Sequence, residues 1–552
     1  MESCDATETQ DPRGRLARIW IWPGLAWLAV LVTSSFLMMP NTDDPFYFLP
    51  GLGLLNEGVL AIPVNGRLDP IFFNFPTFSF LQGLFLFVTQ AVGVPVDYYT
   101  HRLFNGVVVA GLLGLSLRYV RLTVSAEGTP PGAVKLVLLL TLGITPFAQS
   151  WLLVRPEPLG LLCVVGTLVL HQYWVASGRT RRPILLASAF LVGVPLTLHP
   201  LFFPISGLLA LSFLFLEFRV RTNRALLAAA VVIAVVPVAA MAAYYLFNLP
   251  GSAEQLLSQA QNGTTVLFTG FEGLVRRVLP FSGDGITIRR VVGSMFFTPL
   301  LLLILVDLAL LVSVFGRRRR SLDIFLPLTM LFLSIPVVLA LFFNFIYVFG
   351  VIAFVASLFF AVTAAPQIGA VTKFLARGRR YWLVVIFSVA GVGLWTELNI
   401  AKYVVFPERY LRPGAVLDVV AGAAGGSARL FVTLPELVPL FLRQFEDTMA
   451  HSENTALPTY WLFSASGRLS SADADIEQMR IFLESEVDGG SGHDIFFVSA
   501  NSFDSAEMTA CVQLLRTPFR IGISVSDVLH TDDRYVIVRS RSQSLDCQPA
   551  GE

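Results

Sequence analysis

Two adjacent carboxylates, Asp43 and Asp44, stand in the segment Asn41-Thr42-Asp43-Asp44-Pro45-Phe46-Tyr47, directly after the apolar run 19–38. Desolvation at a membrane surface and the closeness of a second carboxyl both raise a carboxyl pKa. A raised pKa suits a general base. An Asp before a Pro is also a common turn and helix cap, so the pair alone leaves both readings open. The second cluster is Arg155-Pro156-Glu157-Pro158. Pro158 suits the first turn of a helix, and the helix dipole favours Glu157 there. Arg155 either meets a ligand or snorkels to the interface. His199-Pro200 breaks a long apolar run. An ionisable residue at membrane depth is a candidate site residue, unless it only ends a helix. Arg276, Arg277, Arg289 and Arg290 form a basic stretch with few acids. It could hold a phosphate by charge-assisted hydrogen bonds, or meet lipid headgroups. Asp307 lies inside an apolar run and could pair with a neighbouring helix.

The elements that must position these residues follow from composition. Of 552 residues, 55% are hydrophobic and 14% charged, against about 25% charged in soluble domains. This excludes a cytosolic enzyme, a disordered chain and a nucleic-acid binder, and fits a polytopic α-helical membrane protein. The four cysteines exclude a disulfide scaffold, and they form no CxxC motif. A spanning helix needs about 20 apolar residues. Such runs are 19–38, 103–117, 136–154, 158–177, two within 184–216 meeting at His199-Pro200, 225–247, 291–315, two within 324–372 meeting near Asn344, and 381–396, eleven in all. With the N-terminus inside, the clusters Arg13/Arg15/Arg18, Arg118/Arg121/Lys135, Arg179/Arg181/Arg182, Arg219/Arg221/Arg224, Arg317–Arg320 and Lys373/Arg377/Arg379/Arg380 all fall on the cytoplasmic side, as short basic loops do. This requires 75–93 to be re-entrant or interfacial rather than spanning. The first apolar run is too long for a cleaved signal peptide and reads as a signal anchor.

The expected organisation is therefore a transmembrane domain, 1–397, and a small C-terminal extracytoplasmic α/β domain, 398–552. Outer loops are expected at 39–101 and 248–290. In the tail, strands are expected at 429–433, 459–464, 494–500 and 534–540, and helices at 435–449, 472–485 and 504–516. Cys511 and Cys547 either pair, if the compartment is oxidising, or remain thiols.

The layout resembles the GT-C glycosyltransferases that use polyprenyl-phosphate sugars, the superfamily of protein O-mannosyltransferases and lipid A aminoarabinose transferases. There an Asp-Glu-x-x-Tyr motif follows the first span; here it reads Asp43-Asp44-Pro45-Phe46-Tyr47. Gly58, Pro63 and Asn65-Gly66 follow, then an aromatic segment around Pro76, then Arg102-Leu103 near the second span and Glu157-Pro158 at the fourth. The motif resemblance covers roughly 40–220 and the rest by topology only. Three positions depart from the pattern. Asp44 replaces a Glu, Glu157 replaces an Asp, and Phe75 stands where some members carry a phosphate-binding Lys.

The resemblance implies a hexosyl- or pentosyltransferase of the outer membrane face. Asp43 is then the general base and Asp44 the second carboxylate. Tyr47, Arg102, Arg155, Glu157, His199, Arg276 and Arg277 are the expected substrate-binding set. The donor is a lipid-linked sugar on a polyprenyl phosphate or diphosphate, and the acceptor a glycan, lipid or protein. No cofactor is marked with certainty: two carboxylates could hold a divalent cation, but no further ligand cluster marks a metal site. The alternatives are a flippase for a lipid-linked substrate and a catalytically inert assembly subunit. The composition suits a bacterial inner membrane.

Overall fold

A computed structural model describes residues 18–37, 44–64, 67–72, 75–94, 96, 98–125, 131–144, 154–249, 346–363, 413–424, 428–432, 459–461, 494–500, 503–504, 509–513, 519–531, 535–540 and 546–549, with 252, 253, 255, 365, 380–383, 386 and 481. The helices are α1 (Ile21–Leu37), α2 (Pro45–Glu57), α3 (Pro76–Ala91), α4 (Tyr98–Ser125), α5 (Pro131–Ile144), α6 (Glu157–Ala176), α7 (Arg182–Gly193), α8 (Phe202–Arg219), α9 (Arg224–Phe247), α10 (Ile346–Thr363) and α11 (Pro413–Ala423). Among the described residues, three helical stretches are long and apolar enough to cross a membrane: Thr100–Val124, Glu157–Ala176 and Arg224–Phe247. The expected spans at 291–315, most of 324–345 and 387–396, with Asp307 and Asn344, lie outside the described residues.

Local chemistry sets the helix ends. Pro45 opens α2, where its missing N–H is no loss. Gly58 closes it at φ 73°, its N–H donating to the Leu54 carbonyl at 3.2 Å. The apolar run 184–216 breaks where expected. There α7 passes into a 3-10 turn, Val194–Thr197, and α8 begins after His199-Pro200. The second span is longer than its apolar core. Helix α4 starts at Tyr98 and runs 28 residues, so Arg102 sits a full turn inside it rather than at its start. Segment 75–93 contains α3, a helix of 16 residues, short of the roughly 20 needed to cross.

Two ends of the bundle differ in chemistry. At one, Lys135 lies over the Trp20 ring at 4.4 Å and Arg118 Nε donates to the Tyr173 hydroxyl at 2.7 Å. At the other stand Arg102 on α4 and Glu157 on α6. Arg102 to Arg118, and Glu157 to Tyr173, are each 16 residues of helix. That is about 24 Å at 1.5 Å per residue, close to the thickness of a bilayer's hydrocarbon core.

The core has two main parts. One lies within the bundle, joining Trp27 of α1 to Leu112, Leu138, Leu161, Phe202 and Phe354. The other joins Phe46, Phe48 and Leu52 of α2 to Phe78 of α3, Val416 and Val420 of α11, and Leu430, Phe496 and Ile537 of the C-terminal strands. Helices α2 and α3 meet at Gly51 and Gly83. A Cβ on Gly83 would stand 2.9 Å from Leu54 Cδ2 and 3.0 Å from the Gly51 carbonyl oxygen. Between them a hairpin, β1 (Ala61–Val64) with β2 (Arg67–Pro70), pairs Val64 with Arg67. Gln255 clamps that hairpin. Its side-chain oxygen accepts from the Phe72 N–H at 2.7 Å and its amide donates to the Pro70 carbonyl at 2.9 Å. The remaining strands are β3 (Ala428–Val432), β4 (Thr459–Trp461), β5 (Asp494–Ala500), β6 (Phe503–Asp504), β7 (Thr509–Gln513), β8 (Phe519–Thr531), β9 (Tyr535–Ser540) and β10 (Asp546–Pro549). They form one mixed sheet in the order β4-β3-β5-β9-β8-β7-β6, with β10 also on β8. β3 is parallel to β4 and β5; the later pairs are antiparallel.

One expectation for the tail is corrected. The described residues of 504–516, namely 504 and 509–513, are strand rather than helix. They form the end of β6 and β7, and β7 pairs with a long strand, β8. The strand register sets the Cys511 and Cys547 backbones on opposite flanks of β8. Cys511 lies opposite Gly522 on one flank of β8, and Cys547 opposite Ile521 on the other. Two strand spacings separate them, about 9–10 Å, beyond the roughly 7 Å limit between the Cα atoms of a disulfide. The expected helices 435–449 and 472–485 lie outside the described residues, apart from the single helical residue 481.

Candidate functional site

Asp44 immediately precedes α2, but its side chain does not cap that helix. Its backbone carbonyl accepts from the Tyr47 and Phe48 N–H groups at 3.1 and 2.8 Å. The carboxylate turns inward and is fully buried. One oxygen accepts from the Val154 N–H at 3.3 Å, and the other lies 4.0 Å from Arg102 Nη2. Arg102, from α4, is itself 2% exposed. Thus a residue whose sequence allowed a solvated cap is instead a buried junction between the segment after the first span, the second span and the segment before α6.

The next residue along, Arg155, closes on Glu157 two positions away. Its Nε donates to both carboxylate oxygens at 3.1 and 3.2 Å, and its Nη2 to Oε1 at 2.9 Å. Pro156 and Pro158 hold the turn between the two and the start of α6. Both partners are buried. Such a bidentate pair fixes orientation as well as charge. The Arg155 guanidinium also stands 5.8 Å from the centre of the Tyr47 ring. Tyr47 in turn meets Phe78 edge-on at 5.6 Å, and its carbonyl accepts from Ser79 Oγ at 3.4 Å.

The structure therefore brings Asp44, Tyr47, Arg102, Arg155 and Glu157 to one place, at the end of the bundle away from the arginine-rich turns. His199 sits beside it, half-buried and close enough to interact electrostatically with Glu157. Its Nδ1 accepts from the Leu201 N–H at 3.2 Å. Phe75 stands 6.0 Å ring to ring from Phe203, an apolar contact at the position where a Lys was noted to be missing. Asp43, Arg276 and Arg277 lie outside the described residues. Among those described, no group of three or more His, Cys, Asp or Glu is placed to hold a metal ion.

Sequence reasoning passed over two neighbours of this junction. His101 is fully buried with its ring edge-on to Phe48 at 4.6 Å, and Gln82 of α3 is fully buried too. Among the described residues, neither His101 ring nitrogen and neither Gln82 amide atom has a hydrogen-bond partner. Buried polar groups are ordinarily paired. The available signal was the step of Ser79, Gln82 and Leu86 along one face of α3, two polar residues set into an apolar helix.

Gly160, one turn into α6, is fitted to this packing. A Cβ there would stand 2.2 Å from Phe202 Cζ. Phe202, fully buried, follows the His199 turn, so the glycine lets the start of α8 close against the start of α6.

Comparison with solved structures places the chain alongside ArnT from Cupriavidus metallidurans bound to undecaprenyl phosphate. The TM-score is 0.58 at 14% identity, over 95% of this chain and 98% of that one. The same protein in the apo state gives a TM-score of 0.47 at 14% identity, over 94% and 97%. No family model and no curated protein matches the sequence. At this identity the likeness is one of fold. The chain shares the fold of that ArnT structure along 95% of its length.

Proposed function

We propose that this chain, sharing its fold with ArnT, is an integral membrane glycosyltransferase. It moves a sugar from a polyprenyl-phosphate or diphosphate donor to a glycan, lipid or protein acceptor. The observation that supports this reading most is a fold shared along 95% of the chain with a protein crystallised on undecaprenyl phosphate. The junction of two arginine–carboxylate pairs at one end of the bundle agrees with it.

The chemistry needs few groups. Asp43 takes the proton of the acceptor hydroxyl. The acceptor oxygen attacks the anomeric carbon as the bond from that carbon to the phosphate oxygen breaks. The leaving phosphate is already acidic, so no general acid is required. Attack in line inverts the anomeric centre. Negative charge collects on the departing phosphate, and preorganised cations steady it. Arg102 and Arg155 are the nearest such cations, with Arg276 and Arg277 behind them. Asp44 and Glu157 hold the two guanidiniums in place, while Tyr47 and His199 complete the wall. The scheme uses arginines where another site would use a divalent cation. The chain crosses the bacterial inner membrane eleven times with its N-terminus in the cytoplasm. The domain from 398 onward is extracytoplasmic, over the 39–101 loop.

The test is transfer from a polyprenyl-phosphate sugar by the purified full-length protein, wild type against Asp43→Asn and Asp44→Asn. Release of polyprenyl phosphate should fall by about 10²–10⁴-fold in Asp43→Asn, the usual contribution of a general base, with the fold intact. Turnover that survives both substitutions removes this loop as the catalytic site. A wild type without transferase activity on any lipid-linked donor refutes the reading.

A further inference from the structure

The opposite end of the bundle carries a second built feature. Helices α8 and α9 are joined by the short turn 220–223 and enclose a groove of about 480 Å³ between them. Leu211, Leu214, Phe215 and Phe218 line it from α8, and Leu227 and Val231 from α9. These residues repeat at intervals of three and four, so each helix presents one apolar stripe along the groove. Most of the lining is outward-facing: Leu211 is 64% exposed, Phe215 59% and Phe218 65%. The groove has one polar end, where Arg224 stands among its lining residues. Arg219 ends α8 and Arg221 lies on the turn, and all three arginines are exposed.

Charge at this end is unbalanced. The local carboxylate, Glu217, is 1% exposed and faces inward. It accepts from Thr222 Oγ1 at 2.6 Å and from Arg179 Nε at 3.3 Å, and lies 3.1 Å from His171 Nε2. Among the described residues, Arg219, Arg221 and Arg224 make no ion pair. The amide end of α9, capped by Asn223 accepting from the Ala225 N–H at 2.9 Å, adds its positive dipole.

We propose that this groove binds an anionic diacyl phospholipid. Its acyl chain lies along the stripes of α8 and α9, and its headgroup phosphate sits on Arg219, Arg221 and Arg224. The volume falls in the range of small-molecule sites, about 300–1,000 Å³. A guanidinium at the groove mouth matches a phosphodiester by bidentate hydrogen bonding. A zwitterionic lipid would place its own cation against three arginines, so the net charge of the headgroup selects the occupant.

The test uses the full-length protein in nanodiscs of phosphatidylcholine. Each preparation is doped with phosphatidylglycerol or phosphatidylcholine carrying a photoactivatable acyl chain, and the labelled peptides are mapped. The phosphatidylglycerol probe should label 211–218 and 227–231 in preference to the phosphatidylcholine probe. Arg224→Gln and Arg221→Asn should each reduce that labelling about fivefold, equivalent to about 1 kcal/mol per arginine near an anionic headgroup. Asn tolerates the left-handed backbone at Arg221, where φ is 58°. Arg224→Lys should retain most of the labelling. Equal labelling by the two probes would mean ordinary bilayer contact and overturn the proposal. So would labelling unchanged in the double variant, with thermal midpoint and elution like wild type.

Discussion

Asp44→Asn separates a brace from a catalyst. The substitution keeps the shape of the side chain and its acceptor for the Val154 N–H, which is 3.3 Å away in the native protein. It removes the negative charge 4.0 Å from Arg102 Nη2. Arg102 is then left 2% exposed with that countercharge gone. Removing one partner of a buried pair costs about 3–5 kcal/mol. The 4.0 Å separation and the retained backbone hydrogen bond put this case at the lower end, about 3 kcal/mol. Arg102→Gln should cost a similar amount, because it removes the cation from beside the buried carboxylate instead. The double variant should cost about 4 kcal/mol, less than the sum of about 6 from the two singles, since the interaction between the two charges is counted in both. The assay is a double-mutant cycle on unfolding in detergent, followed by intrinsic fluorescence. We expect a coupling energy of about 2 kcal/mol. Single effects that add to within about 0.5 kcal/mol, the agreement seen for independent sites, would refute the argument that these side chains hold each other. Asp43→Asn, measured alongside, should leave stability unchanged while abolishing transfer.

Three further outcomes follow from the same geometry. Glu157→Gln should destabilise the protein by about 3–5 kcal/mol, because it breaks the three-bond buried pair with Arg155; a thermal midpoint like that of wild type would count against it. Gly160→Ala sets a Cβ 2.2 Å from the Phe202 ring and should cost about 1–3 kcal/mol through overpacking, read in the same unfolding assay; an unchanged midpoint would show that Phe202 is free to move. Cys511 and Cys547 should both react with a maleimide after denaturation without reductant, since β8 runs between them; protection of both thiols until reduction would contradict the strand register.

The local sequence determined which stretches become helix and where several of them stop. Apolar runs of bilayer length gave α4, α6 and α9, because a backbone in hydrocarbon must satisfy its own hydrogen bonds. His199-Pro200 marked a break, because proline lacks a donor. Alternation gave β3, β5 and β9 within a residue or so. The pattern Ser-Ala-Glu-Met-Thr-Ala-Cys-Val-Gln-Leu-Leu at 505–515 suits a helix as well as a strand. Residues 509–513 within it joined a sheet because β8 offered them a row of backbone partners, a contact that no local pattern contains. The candidate site divides in the same way. Charge type and position pointed to Asp44, Arg102, Arg155 and Glu157. That Arg155 closes on Glu157 follows from two prolines and a separation of two residues, which is local chemistry. That Asp44 leaves its helix end for Val154 and Arg102, 110 and 58 positions away, was decided only when three segments packed together and excluded water. A carboxylate with no water must take whatever donors the tertiary fold presents.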